Sequence, residues 1–361
     1  MKKIMLLTIL TTLIVISSAC SMNKSIKDAL KGKSDIYKML DYASLAGSSH
    51  NTQPWKVEVY QNDSLVIYAD ESRQLKVVDP KGIELYISVG AFIENLDRAA
   101  NALGYQSDWT FYETSLNAGM PVASIKLKKS DSHIQSEKLK ELELRTTLRI
   151  PFDTLNIKNE DRDNLIGVDS EQITFLPANS PSGRFVAKKE LEAYKIQAYQ
   201  KTAQEELASW IRFSNKDVNS KRDGLTPAGM GINGIAGFFV RHFFNPKDSK
   251  KESFVKSGVE KTQKQVENCG GWVLLSTNKN TISEWIKIGR IYERLNIQCR
   301  TLNLGFHPMN QIIEVKAIES ELTNYLNTDH TIRFVSRIGY VNTYPAPVSK
   351  RRAVEQFAIF K

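Results

Sequence analysis

Cysteine is nearly absent from this 361-residue sequence, with only Cys20, Cys269 and Cys299 present. That excludes a disulfide-stapled scaffold. The histidines His50, His133, His242, His307 and His330 form no HExxH and no His/Cys pair at metal spacing, so a zinc site is not expected. There is no GxGxxG after a strand, no GxxxxGK phosphate loop and no GxSxG elbow, which removes the commonest nucleotide-binding and serine-hydrolase readings. Gly229-Met-Gly231-Ile-Asn-Gly234 has the letters of a dinucleotide loop but lacks a preceding strand and a following acidic residue. Beyond the first twenty residues, no stretch reaches the roughly 18 apolar residues that span a bilayer. Concentrated charge of one sign is missing too. The net +9, from 49 Lys+Arg against 40 Asp+Glu, is spread thinly, which speaks against nucleic acid as a partner.

Hydrophobic residues at 41% and charged residues at 25% are enough for a packed core, and the length suits two ordinary domains or one large one. The first twenty residues differ from the rest. Lys2-Lys3 precedes an apolar run from Ile4 to Ile16, and Ser17-Ser18-Ala19-Cys20 supplies small residues at a cut site, which is the pattern of a secretory signal. A cysteine directly after a small residue resembles a bacterial lipobox, although Ser17 stands where leucine is usual. Residues 1–20 are therefore expected to be a signal peptide ending in the lipidation site Cys20, with 21–33 a polar tether. An ordinary signal peptide or an uncleaved anchor is the alternative. Either reading implies an exported protein, and the lipobox reading makes it an envelope lipoprotein held to a membrane by its N-terminus. Cys269 and Cys299 are the only candidates for a disulfide in an oxidising compartment, and two buried free thiols is the expectation.

Apolar periodicity predicts a helix over 34–46 ended by Gly47, and then two strands, 55–60 and 65–69, joined as a hairpin. A strongly apolar helix over 83–103 ends at Gly104, and strands follow near 109–112 and 122–127. In the second half, helices are expected over 137–145 and 188–213 and a buried strand over 271–277. A helix opened by Thr281 and Glu284 runs to Leu304, and 333–341 is a closing strand. The layout is α+β. Leu103-Gly104-Tyr105 and Leu304-Gly305-Phe306 look like matching helix ends. The glycine-rich segment 215–251, with its aromatic run, reads as a mobile lid or a static insertion.

Two polar clusters carry chemistry. Residues 46–55 place Ser48, Ser49, His50, Asn51, Thr52 and Gln53 between a helix end and Trp55, where donors and acceptors can face a flat polar ring. A capped turn is the plainer reading. Residues 145–152 contain Arg145, Thr147 and Arg149, a spacing able to converge on one phosphate or to form an exposed basic helix end.

The string Ser-Ser-His-Asn-Thr-Gln-Pro-Trp resembles the nitroreductase-family signature that contacts the isoalloxazine ring, and Arg-Thr-Thr-x-Arg-x-Pro-Phe resembles that family's phosphate motif. Their order is reversed relative to ordinary members, which resembles the Acg-type branch, where two degenerate halves in one chain imitate the family homodimer. The resemblance implies an α+β nitroreductase-like fold, a first half over 34–135, a second half over 136–361, and one flavin mononucleotide (FMN) site. It assigns Ser48, Ser49, Asn51, Gln53, Gly305, His307 and Asn310 to the flavin. Arg145, Thr147 and Arg149, with Lys350 and Arg352 of the basic run 350–352, are assigned to its phosphate. The activity it implies is an FMN-dependent oxidoreductase of the cell envelope that reduces a small quinone- or nitro-type substrate. The alternative is a protein that sequesters FMN with little turnover. The electron donor is unassigned, because NADH and NADPH are cytoplasmic and an exported chain would not meet them. A monomeric pseudo-dimer is expected, and the sequence contains no recognisable proton donor.

Overall fold

The computed structural model describes residues 30–113, 119–131, 133–232, 234, 237, 240 and 248–361. The signal segment with Cys20, all but the end of the tether, and much of the aromatic stretch of 215–251 lie outside the described residues.

Ser34 caps α1 (Asp35–Ser44), its hydroxyl accepting from the Tyr37 N–H. The hairpin β1 (Trp55–Tyr60) and β2 (Ser64–Ala69) follows, then α2 (Ile83–Ala102), β3 (Tyr105–Phe111) and β4 (Pro121–Lys129). The second half contains α3 (Ser136–Leu144), α4 (Asn159–Ile166), β5 (Ile173–Pro177), α5 (Pro181–Tyr199), α6 (Lys201–Trp210) and α7 (Asn215–Lys221). After these come α8 (Glu252–Glu267), β6 (Gly271–Thr277), α9 (Ile282–Thr301), β7 (Leu304–Pro308), α10 (Gln311–Glu314), α11 (Lys316–Leu326), β8 (Thr331–Tyr340) and β9 (Ala358–Phe360).

The fold is α+β, with two sheets of one design, one wholly antiparallel and the other antiparallel except for its β1–β9 edge pair. One sheet runs β3-β4-β2-β1-β9 and the other β7-β8-β6-β5. In each, the strand before a long helix is followed across that helix by an edge strand and then its neighbour. The two long helices, α2 and α9, are both 20 residues and pack on each other. Ile87, Val89 and Phe92 share one core with Ile286, Ile288 and Tyr292. These features make the chain two degenerate repeats around a shared helix pair. Among the described strands only β9 crosses over. It leaves the second half and pairs in parallel with β1.

The strand at 271–277 is buried along its whole length, and its apolar run Trp272–Leu275 has both faces covered. Val273 and Leu275 enter the shared core, while Trp272 and Leu274 enter a second core with Ile312 and Val335.

Several expected boundaries move for physical reasons. The helix expected over 188–213 begins earlier and is two, since Gln200 is extended at φ −82°, ψ 115°. The expected helix to Leu304 stops at Thr301, and Leu304 and Gly305 already belong to β7. The residue that ends α9 in the left-handed region is Asn303 (φ 56°), matching Gly104 (φ 84°) after α2. Asparagine is the side-chain-bearing residue that best tolerates this conformation. The two ends do match, but through Leu302-Asn303. Gly47 does not end α1. A Cβ there would lie 1.9 Å from the Tyr292 hydroxyl and 2.2 Å from an Arg145 nitrogen, so the glycine permits that approach. Cys269 and Cys299 are buried free thiols, as expected.

Candidate functional site

The polar loop after α1 is held in an uncommon shape. His50, Asn51 and Gln53 all have φ near +50° (48°, 55° and 55°), a conformation that costs energy for residues with side chains. Neighbouring bonds enforce it. Ser48 Oγ accepts from the Gln53 N–H at 3.0 Å. Asn51 exchanges two bonds with Gly224, its carbonyl accepting at 3.1 Å and its amide donating at 3.1 Å. Gln53 donates to the Arg222 carbonyl and accepts from the Arg352 N–H. Asn51 and Gln53 therefore fasten the loop to residues 222–224 and to the C-terminal arm. Ser48 and Ser49 face inward.

They face a cavity of about 330 Å³, within the range of small-molecule sites. Its walls come from both halves: Ser48, Ser49 and Glu84 from the first, and Thr147, Arg149, His307 and Asn310 from the second. Leu225, Met230 and Ile232, from the described part of the expected lid, line it as well. A larger depression of about 650 Å³ near Trp210 is open to solvent, and Arg73, Asp223 and Arg212 in its lining are already paired with one another.

One pole of the cavity is cationic. Arg149 donates to the Gly229 carbonyl at 2.9 Å, and Lys261 donates to the Met230 carbonyl. Arg337, fully buried behind them, donates to the Asn268 and Ile150 carbonyls and to His307 Nδ1 at 3.0 Å. Among the described residues none of these cations meets a carboxylate. Burial lowers the Lys261 ammonium to about 8, with Arg149 and Arg337 adding to the effect. Burial likewise lowers Arg149, and Arg337 to about 9. His307 is pushed well down by burial and then by Arg337, which fits a neutral ring accepting the Arg337 bond. Buried cations capped only by backbone carbonyls are costly unless an anion joins them.

The other pole is acidic. Glu84 accepts from Ser49 Oγ at 2.5 Å and from Asn310 Nδ2 at 2.8 Å, and Glu314 accepts from Gln197 Nε2 at 2.6 Å. His50 lies within electrostatic reach of Glu84 and Arg149, and burial takes it down to about 4.

Of the expected site residues, Ser48, Ser49, Thr147, Arg149, His307 and Asn310 come together on this cavity. Six do not line it. Arg145 is buried in an ion pair with Glu293 at 2.9 Å and also donates to the Tyr292 hydroxyl. Its pKa is lowered by burial and raised more by Glu293 and Tyr292, so it stays charged. Arg352 donates to the Gln53, Trp55 and Gln356 carbonyls. Lys350 is exposed, and its carbonyl accepts from Asn51. Gly305 packs on the Phe152 ring, 2.3 Å from where a Cβ would sit. Asn51 and Gln53 hold the loop. Lys261, Arg337 and Glu314 carry no signal in the sequence that would place them here. Glu84 carries one, as an acid in the first turn of a helix whose next nine residues include no other charge.

The site thus defines a class: an α+β protein of two repeats enclosing a cavity with a cationic and an acidic pole. No family model matches the chain. Over 87 residues it is 34% identical to the provisionally named NAD(P)H nitroreductase Rv3131 of Mycobacterium tuberculosis H37Rv, and equally to its CDC 1551 counterpart MT3217. The match spans 24% of this chain and about a quarter of the length of those relatives. Among solved structures it is similar to the FMN-dependent nitroreductase NfnB of Mycobacterium smegmatis in complex with NADPH, at 11% identity and a TM-score of 0.40. That overlap covers 62% of this chain and 96% of NfnB. A nitroreductase-named structure from Anabaena variabilis covers 87% of this chain and 91% of its own at 10% identity, with a TM-score of 0.37. Structural likenesses this distant do not bear on chemistry.

Proposed function

We propose that the cavity is an FMN site and that the chain is an FMN-dependent oxidoreductase of nitroreductase type. The observation that carries this reading is the Arg149–Lys261 pair, half-buried cations that meet backbone carbonyls and no carboxylate among the described residues, in the same cavity as the Ser48–Ser49 loop. The residues present suit the cofactor. Arg149, Lys261 and Thr147 would hold its phosphate, while Ser48, Ser49 and Asn310 offer hydrogen bonds to a polar ring edge. The sequence match to a protein named as a nitroreductase supports the same reading. Bound flavin would supply two-electron chemistry; the chain's own residues bind and orient it and keep water away.

The substrate class is a small quinone- or nitro-type acceptor. The units are 34–135 and 136–361 after a signal at 1–20 and a tether at 21–33. Lipid on Cys20 would place the mature protein in the cell envelope as a monomeric pseudo-dimer. No helix of the described residues is long and apolar enough to cross a membrane.

A second reading, sequestration of FMN with little turnover, is favoured by one observation. The described part of 215–251 covers the cavity, and its Gly229 and Met230 carbonyls already engage Arg149 and Lys261.

Titration of the chain from residue 21 onward with FMN and with riboflavin tests the site. FMN is expected to bind tightly and riboflavin weakly. Arg149→Gln should weaken FMN by about tenfold or more, since a charged phosphate contact contributes roughly 1.5–3 kcal/mol, and leave riboflavin unchanged. No flavin binding at all would sink the proposal. Reduction of bound FMN by a donor, and its reoxidation by a quinone, separates catalysis from sequestration.

A further inference from the structure

Arg337 on β8 and His307 on β7 stand opposite each other in one antiparallel ladder. Arg337 is fully buried, and each of its nitrogens is committed. Nη1 donates to the Asn268 carbonyl at 3.1 Å, Nη2 to the Ile150 carbonyl at 2.6 Å and Nε to His307 Nδ1 at 3.0 Å. Its guanidinium lies 3.9 Å over the Phe152 ring. Gly305 and Gly339, a pair on the same ladder, leave the room that Phe152 fills. A guanidinium can only donate, so Nδ1 must accept and the His307 proton must sit on Nε2. The ring cannot take a second proton without breaking that bond. His307 is a neutral donor in one fixed tautomer.

His307 lines the cavity, and with Nδ1 turned to Arg337 behind the wall, Nε2–H is the group left for the cavity side. Its neighbours there are cations. The Leu148 N–H donates to the Phe306 carbonyl at 3.0 Å, which brings the chain at Arg149 alongside the chain at His307. Lys261 comes from α8, where Gln265 donates to the Arg149 carbonyl at 2.8 Å. The other titratable groups of the lining, Glu84, Glu314, His50, Tyr194 and Tyr292, make no bond to His307 among the described residues. Near Arg337, the Cys269 thiol is pushed up to about 11 by burial and stays neutral. Burial, Arg337, Arg149 and Lys261 all disfavour charge on His307, in agreement with the geometry.

We infer that Arg337 is a positioning residue that locks His307, and that the locked Nε2–H joins Arg149 and Lys261 in holding an oxyanion. This rests on the FMN reading and deepens it: the oxyanion is the FMN phosphate. The three side chains offer donors and no acceptor. A phosphate dianion meets them with acceptors alone, whereas the terminal hydroxyl of riboflavin brings a donor that they cannot satisfy. His307 holds the phosphate without gaining or losing a proton, unlike a histidine free to titrate near neutral pH.

The first test needs no variant of Arg337. Heteronuclear spectra of protein labelled with heavy nitrogen in its histidines, with His307 identified by its absence in His307→Gln, should show the Nε2–H tautomer alone from about pH 5 to 8. An Nδ1–H tautomer in wild type, or protonation of His307 in that range, would overturn the lock. Arg337→Met should release Nδ1 and let the ring populate both tautomers; a folded Arg337→Met with the wild-type tautomer would overturn the role of Arg337. FMN and riboflavin are then titrated into His307→Leu and His307→Gln. The preference for FMN over riboflavin should fall on the order of tenfold or more in His307→Leu, and the neutral amide donor of His307→Gln should restore much of it. An undiminished preference in His307→Leu would overturn the oxyanion contact. Wild type that takes up no FMN would remove the flavin reading itself. Inorganic phosphate then decides: a shifted His307 Nε2 resonance supports the oxyanion site, and an unmoved one overturns it.

Discussion

Arg145 and Arg149 show how far identical side chains can diverge. Helix α3 stops at Leu144, and Arg145 is extended at φ −61°, ψ 130°, so a spacing of four no longer places both on one face. Arg145 turns to Glu293, while Arg149 turns to the cavity. At the same scale, Glu190 gives a prediction about pH. Burial raises its carboxyl from 4.5 to about 8, although the Ile312 N–H pulls the other way. A raised acid holds its proton in the folded state, so its stabilising contribution is complete below about pH 4.5 and is lost as pH rises through about 8. Glu190→Gln should therefore flatten the Tm-against-pH curve across that window and raise Tm at its upper end. Thermal melts from pH 4.5 to 9 check this, and an unchanged slope would refute it.

Among the helices, caps and crossings differ in what specifies them. Thr281 is readable as a cap, and Ser34 acts as one by the same rule, because a hydroxyl that accepts from an N–H three residues on needs only local sequence. The crossing of α2 and α9 is not readable in that way. It depends on Gly90 and Gly289, each the eighth residue of its helix, which face one another across the repeat. A Cβ on Gly90 would lie 2.2 Å from the Ile286 carbonyl, and one on Gly289 would lie 2.0 Å from the Ile87 carbonyl. Because the clash is with backbone, Gly90→Ala or Gly289→Ala should force the helices apart. The expected loss is about 1–3 kcal/mol or more, measured by urea unfolding. The cavity lies between elements that this pair brings together, so weaker FMN binding should accompany it.

At the scale of the whole molecule, the C-terminal arm ties the two halves together. Residues 350–352 look like a phosphate grip in the sequence, but Arg352 is 5% exposed and its bonds go to carbonyls around the start of β1. Arg352→Ala would strand buried acceptors at Gln53 and Trp55, at roughly 1–3 kcal/mol each. Tm should fall, while the preference for FMN over riboflavin, read at low temperature, should stay as in wild type. Loss of that preference alone would restore the phosphate role.

The sequence by itself determined the α+β class, most of the strands and long helices, the inward-facing serines and Arg149. Those features follow from periodicity, capping and motif, which act over a few neighbouring residues. Only the tertiary structure decided which charges meet. Arg145 is neutralised by a glutamate 148 residues away, Asn310 reaches Glu84 across 226, and Arg352 closes a loop 299 residues earlier. Pairing and desolvation depend on distance in space, and sequence spacing constrains that distance only within a single element.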